Sequence, residues 1–149
     1  MSKYLGLDSA IVLAATSFEG KYDKGNEPYI LHCIQVMENV RKWDDVELQI
    51  AAVLHDIIED TMITGEELLK MGYSPRVVRI VQAVTFPKDC DYDDKILEVC
   101  NDQDAIKVKM ADLEHNSLIL RMKGIRRKDL DRIEKYQRSY FILKNHLEK

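Results

Sequence analysis

Apolar residues recur at i, i+3 and i+4 through most of this chain, and the alternation that marks a strand is nearly absent. Such spacing lays an apolar stripe along one side of a helix and leaves the other side for water, so the segments bury themselves by packing helix on helix. They run near 7–20, 28–42, 45–59, 65–71, 75–85, 92–100, 103–122 and 126–147. The punctuation agrees. Thr64-Gly65-Glu66-Glu67 has the form of a capping box, Gly72 closes that segment, and Ser74-Pro75 pairs a capping serine with a proline at the first helical position. The expectation is an all-α bundle of about 7–8 helices. A length of 149 residues supports one sizeable core, hence one domain over 1–149.

The third segment carries the chemistry. An apolar run, Ala51 to Leu54, leads straight into His55-Asp56-Ile57-Ile58-Glu59-Asp60-Thr61. At about 100° per residue with His55 as zero, Glu59 falls at about 40°, Asp56 at about 100° and Asp60 at about 140°, so all share one side of a continuous helix. Two readings compete. The histidine is a satisfied core residue and the acids a solvated helix end, or the group serves a cation. Burying Asp56 unpaired would cost several kcal/mol, which a metal ion would offset. Neutral imidazole beside carboxylates suits a divalent cation, and a carboxylate one turn further on can take a proton from an attacking water.

A divalent site takes about four to six ligands, so His55 and Asp56 need partners elsewhere. His32 follows Pro28-Tyr29-Ile30-Leu31 at the apolar start of a helix, and Asp112 interrupts an apolar face within Lys107 to Asn116. Singly, such residues are more often structural. Together with the HD pair they form an ordered H…HD…D set.

That ordered set resembles the signature of the HD phosphohydrolase superfamily. The surrounding residues are similar to one branch of it, the hydrolase domain of the bifunctional (p)ppGpp synthetase/hydrolases and its small stand-alone relatives. Lys24 to His32 resembles that branch's basic-Gly-Glu-Pro-Tyr-Ile-x-His segment, His55 to Thr61 its HDxxEDT, and Lys109-Met110-Ala111-Asp112-x-x-His115-Asn116 its KxADxxHN. Val81 to Thr85 also resembles a helix end of that branch, and the likeness covers roughly residues 10–122. It implies a Mn²⁺ ion held by His32, His55, Asp56 and Asp112, with Glu59 and Asp60 activating and positioning water. It further implies that Lys24 supplies charge to a phosphate and that Asn116 reaches toward the nucleoside. The implied substrate is a nucleotide, foremost an alarmone 3′-pyrophosphate; HD relatives also act on NADPH, deoxynucleotides and nucleoside monophosphates. A nucleotide-binding sensor without turnover is the rival class, and intact Glu59 and Asp60 speak against it. Two positions depart from the branch. Asp23 stands where an arginine usually lies against the base, and an acid there is expected to disfavour extra phosphates. Cys33 replaces a proline.

Composition bounds the rest. With 32% charged residues and no apolar run near the ~18 needed to span a bilayer, a soluble chain is expected. Residues 1–8 show no basic-then-apolar leader, and Cys33, Cys90 and Cys100 form no paired spacing, which suits a reducing cytoplasm. Net charge is −4, and the basic residues gather only between Arg121 and Lys128, so stable nucleic-acid binding is not expected. That cluster reads as a solvated helix start or a rim that steers phosphate. The loop from Phe86 to Asp94 either borders a pocket or merely connects helices. Tyr136, Tyr140, Phe141, Ile142 and Leu143 give the last helix an apolar stripe that serves the core or a homo-oligomer face. With little sequence after the region of resemblance, no synthetase or regulatory domain is expected within these 149 residues.

Overall fold

The computed structural model describes residues 2–148, which form nine α-helices and no sheet. They are α1 (Leu7–Ser17), α2 (Ile30–Asn39), α3 (Val46–Val53), α4 (Ile57–Asp60), α5 (Gly65–Met71), α6 (Pro75–Ala83), α7 (Tyr92–Val99), α8 (Gln103–Asn116) and α9 (Arg127–His146). The helical class expected from the apolar period is therefore observed. Among the described residues no helix is long and apolar enough to cross a membrane.

The centre of the bundle is α3. Leu48, Ile50, Ala51, Ala52 and Val53 are all buried, so this helix is apolar nearly all round, and it packs against α1, α2, α6 and α8. Side-chain caps fix where the helices start. Asp45 accepts from Leu48 N–H, Asp102 from the Asp104 and Ala105 N–H groups, and Ser74 from Val77 N–H. Thr64 and Glu67 close the expected capping box, and Gly72 ends α5 with φ +116°, a conformation in which a Cβ would be strained. Arg76 on α6 then ties two of these starts together. Its guanidinium pairs with Asp45 (2.6 Å) and Asp104 (3.0 Å).

Several helices are shorter than their apolar period suggests, most of all the third and the seventh expected segments. The segment 45–59 breaks at Leu54–Asp56, because the Ala52 carbonyl is taken by His55, through its N–H at 3.2 Å and its ring Nδ1 at 2.7 Å. An imidazole that bonds back on the last carbonyls ends a helix. The four chemical side chains therefore do not share one face of a continuous helix: His55 and Asp56 lie in the turn, Glu59 and Asp60 on the single-turn α4. The segment 103–122 likewise stops at Asn116. There Ser117 Oγ donates to the Leu113 carbonyl (2.7 Å), Arg121 caps the His115 carbonyl (3.1 Å), and a 3-10 turn follows at Ile119–Arg121.

Candidate metal centre

The helices that carry the H…HD…D set pack on one another, α2 against α3 and α8, and α3 against α8. His32 comes from the first turn of α2, His55 and Asp56 from the α3–α4 turn, and Asp112 from α8. All four are buried, with Asp56, the most open, at 9% exposure. His32 Nε2 lies 3.0 Å from Asp112 Oδ1 and 3.8 Å from Asp56 Oδ2. His55 Nε2 lies 3.0 Å from Asp56 Oδ2 and 3.3 Å from Asp112 Oδ1. Two imidazoles and two carboxylates thus converge on one point.

The donor set fits a divalent cation. With His55 Nδ1 engaged at the Ala52 carbonyl, Nε2 points into the cluster, where it is buried and makes no hydrogen bond. Burial alone would depress the His55 pKa, yet Asp56 and Asp112 hold it well above the usual range, so the cluster draws in positive charge. Burial would likewise raise Asp112, but Lys109 and His55 outweigh it and keep this carboxyl well below the ordinary value. The atoms that His32, His55 and Asp56 offer lie within 4.8 Å of one another, a span that one ion can fill.

A second layer of contacts fixes these four side chains. Tyr29 packs edge-on against Phe18 and donates its hydroxyl to Asp56 Oδ2. The half-buried Lys109 Nζ sits 3.0 Å from Asp112 Oδ2, and Asn116 Nδ2 donates to Oδ1 at 2.9 Å. His32 Nδ1 is 2.8 Å from His115 Nδ1, with the two rings nearly parallel. Burial first, then Arg121 and His32, push the His115 pKa down to about 4, so its ring is neutral.

Glu59 and Asp60 adjoin the centre, their carboxylates forming a second group with Asp56 within 4.8 Å. The loop after α6 is part of this arrangement, since Phe86 N–H donates to Glu59 Oε1 at 2.7 Å. Desolvation raises the Glu59 pKa above that of an ordinary glutamate despite this bond. Asp60 pairs with Lys21 at 3.0 Å.

A cavity of about 420 Å³ opens beside His32, lined by Lys21, Asp23, Lys24, Asn116 and Arg121 among others. Lys24 and Asn116 therefore both face it. The Asn116 amide is engaged at each end, by Asp112 and by Arg121 (3.2 Å). Asp23 does not present the free negative charge expected of it, because Arg121 binds its carboxylate at 2.8 Å. Gly25 makes this close approach feasible: a Cβ there would lie 2.2 Å from the Arg121 carbonyl oxygen. His115 and Lys109 were given no role by sequence reasoning although they stand inside the KxADxxHN stretch, and Arg121, read only as part of a solvated or phosphate-steering cluster, instead pairs with Asp23 and Asn116.

A family model described as HD domain matches residues 10–106, about two thirds of the chain. The chain belongs to the HD-domain family. The match ends before Asp112, which the fold brings beside His32 and His55. This HD domain is 32% identical over 117 residues to the guanosine-3′,5′-bis(diphosphate) 3′-pyrophosphohydrolase of Haemophilus influenzae, covering 70% of this chain and 17% of that protein. It is 30% identical over 122 residues to the bifunctional (p)ppGpp synthase/hydrolase SpoT of Escherichia coli K12, covering 74% and 17%. The chain thus spans less than a fifth of the length of these curated relatives. Among solved structures, a metazoan ortholog of SpoT that hydrolyzes ppGpp superposes with TM-score 0.75 at 22% identity, over 92% of this chain and 84% of that one. This likeness shows that the two share a fold.

Proposed function

We propose that this HD domain is a cytoplasmic, metal-dependent phosphohydrolase that acts as a single domain and removes the 3′-pyrophosphate of guanosine 3′,5′-bis(diphosphate). The reading is supported by the named activity of the relatives and carried by one observation. A buried His55 Nε2, without a hydrogen bond and close to two carboxylates, packs against His32, which lines a cavity together with lysine and arginine. His32, His55, Asp56 and Asp112 would hold the cation, and Mn²⁺ suits a mixed imidazole and carboxylate set. When bound, such an ion lowers the pKa of water and neutralises charge on a phosphoryl oxygen.

The protein's own groups do the rest. Tyr29, Lys109 and Asn116 keep Asp56 and Asp112 ionised and oriented. Glu59, its pKa raised by desolvation and its carboxylate held by Phe86 N–H, takes a proton from the attacking water, while Asp60, tethered by Lys21, positions that water. A new O–P bond forms as the bond from phosphorus to the ribose 3′-oxygen breaks. The 3′-oxygen leaves with a proton, and the products are GDP and pyrophosphate. Lys24 supplies charge to a phosphate from the cavity wall, and Asn116 meets the nucleoside side of the same cavity.

The test is release of phosphate and pyrophosphate from ppGpp, pppGpp, NADPH, dNTPs and NMPs with Mn²⁺, run beside the double variant Glu59→Ala/Asp60→Ala. Pyrophosphate from ppGpp that vanishes in the variant is the expected result. Turnover of another nucleotide alone would replace the substrate, and tight binding without turnover would favour a sensor.

A further inference from the structure

Next to the cavity of the metal centre lies a second one, of about 630 Å³, and the two share Lys24, Gly25, Met122, Asp129 and Arg132 in their walls. Five cations line it, Lys24, Lys123, Arg126, Lys128 and Arg132. Asp129 is the one acid among its described lining residues, and it is already spent: its carboxylate accepts from Arg126 N–H at 2.9 Å and pairs with Arg132. Among the described residues, Lys24, Lys123, Arg126 and Lys128 have no carboxylate within ion-pair reach. This concentration stands out in a protein of net charge −4.

Uncompensated like charges around a concavity raise the energy of the empty protein and lower that of a complex with an anion. Lys24 registers the strain: after burial, Arg132, Lys128 and Lys135 all push its pKa down, against the opposing pull of Asp129. The shape and lining narrow the ligand. No aromatic side chain faces this cavity to stack on a base, and several cations around one space match the charge density of linked phosphates better than a single carboxylate.

We infer that the groove between the Lys24 loop and the start of α9 is a second anion subsite, which takes the phosphates at the end of the nucleotide remote from the bond that is cleaved. This rests on the phosphohydrolase reading above, since Lys24 would then stand between the two ends of the substrate. A 5′-polyphosphate is the chemistry it fits.

The experiment measures kcat/KM for guanosine 3′-diphosphates that carry a 5′-hydroxyl, mono-, di- or triphosphate, in the wild type and in Lys123→Gln/Lys128→Gln. Both lysines are exposed, and a Lys70→Gln/Lys144→Gln variant removes the same charge elsewhere. Expected is a rise of tenfold or more along the 5′ series, carried by KM, that flattens in the groove variant and persists in the control. A flat series in the wild type, or an equal rise in the groove variant, overturns the subsite while leaving the phosphohydrolase reading intact. If no 3′-diphosphate turns over, that reading fails, and calorimetry with tripolyphosphate on the metal-free protein still decides the groove. Binding weakened tenfold in the groove variant alone supports it; no binding, or equal binding, overturns it.

Discussion

The Nδ1 atoms of His32 and His115 lie 2.8 Å apart, across 83 residues of sequence. One of them must carry the shared proton. In the proposed metal site His32 offers the lone pair of Nε2 beside Asp112, and His115 is held neutral. The proton therefore belongs to His32, which donates to His115. Ligating histidines commonly donate their second ring N–H in this way, which fixes tautomer and ring orientation. Replacing the acceptor should weaken metal binding about 10- to 100-fold. His115→Phe is expected to show that loss in a metal-competition titration, and His115→Asn, whose side-chain oxygen replaces the acceptor, to recover most of it. Equal loss in both would mean that His115 only fills space.

Glu59 is the group whose ionisation sets the acid limit of the proposed reaction. A base works only when deprotonated, and desolvation raises the Glu59 pKa. Activity should then fall as pH drops through that raised value, at a higher pH than for an exposed glutamate. Glu59→Gln should lower kcat by about 10²- to 10⁴-fold and leave the remaining rate without that acid limb. A pH–rate profile of both proteins checks this.

Gly25 is fixed by the Arg121 carbonyl, 2.2 Å from where a Cβ would stand. Gly25→Ala should force the Lys24 loop away from the turn after α8 and break the Asp23–Arg121 pair. Overpacking of this kind costs about 1–3 kcal/mol. Thermal unfolding should show the loss, together with a KM increase larger than the change in kcat.

Arg76 holds the starts of α3 and α8 through Asp45 and Asp104, and its charge keeps both acids below the ordinary value of 3.8. For depressed acids the stabilisation is present above the unfolded pKa and is lost as pH falls through the folded one. Arg76→Met should therefore cost about 1–3 kcal/mol at neutral pH. The gap to wild type should close below pH 3.8. Urea titrations at pH 7 and in this acidic range are the measurement.

Cation binding should register in stability before any substrate is present. An ion that binds only the folded state stabilises it by about 2.7 kcal/mol at 100 times its Kd. Adding Mn²⁺ should raise the Tm of the wild type and not that of His55→Ala, and a chelator should reverse the rise.

What was legible in the sequence was local. The helical period, the capping box at Thr64 and the Ser74-Pro75 start depend on neighbours a few residues apart, and each reappears in the fold. The order of His32, His55-Asp56 and Asp112 named side chains that the fold brings together, because their helices pack mutually. The break after Val53 was hidden, since apolar period cannot report an imidazole bonding back on a carbonyl. Arg121 was hidden for a different reason: its carboxylate partner, Asp23, lies 98 residues away, and a cluster of basic residues looks the same whether paired or solvated.

The bond from His55 to the Ala52 carbonyl also bears on how such a chain can drift over evolutionary time. The same ring that offers Nε2 to the metal centre terminates the central helix. A mutation at position 55 thus removes a proposed ligand and strips the Ala52 carbonyl of its shorter bond, leaving the backbone N–H of residue 55 alone to hold the turn that carries Asp56. Loss of the proposed ligand and loosening of this turn are then inherited as one event, so a descendant that abandoned the metal would be expected to carry compensating changes across the α3–α4 turn.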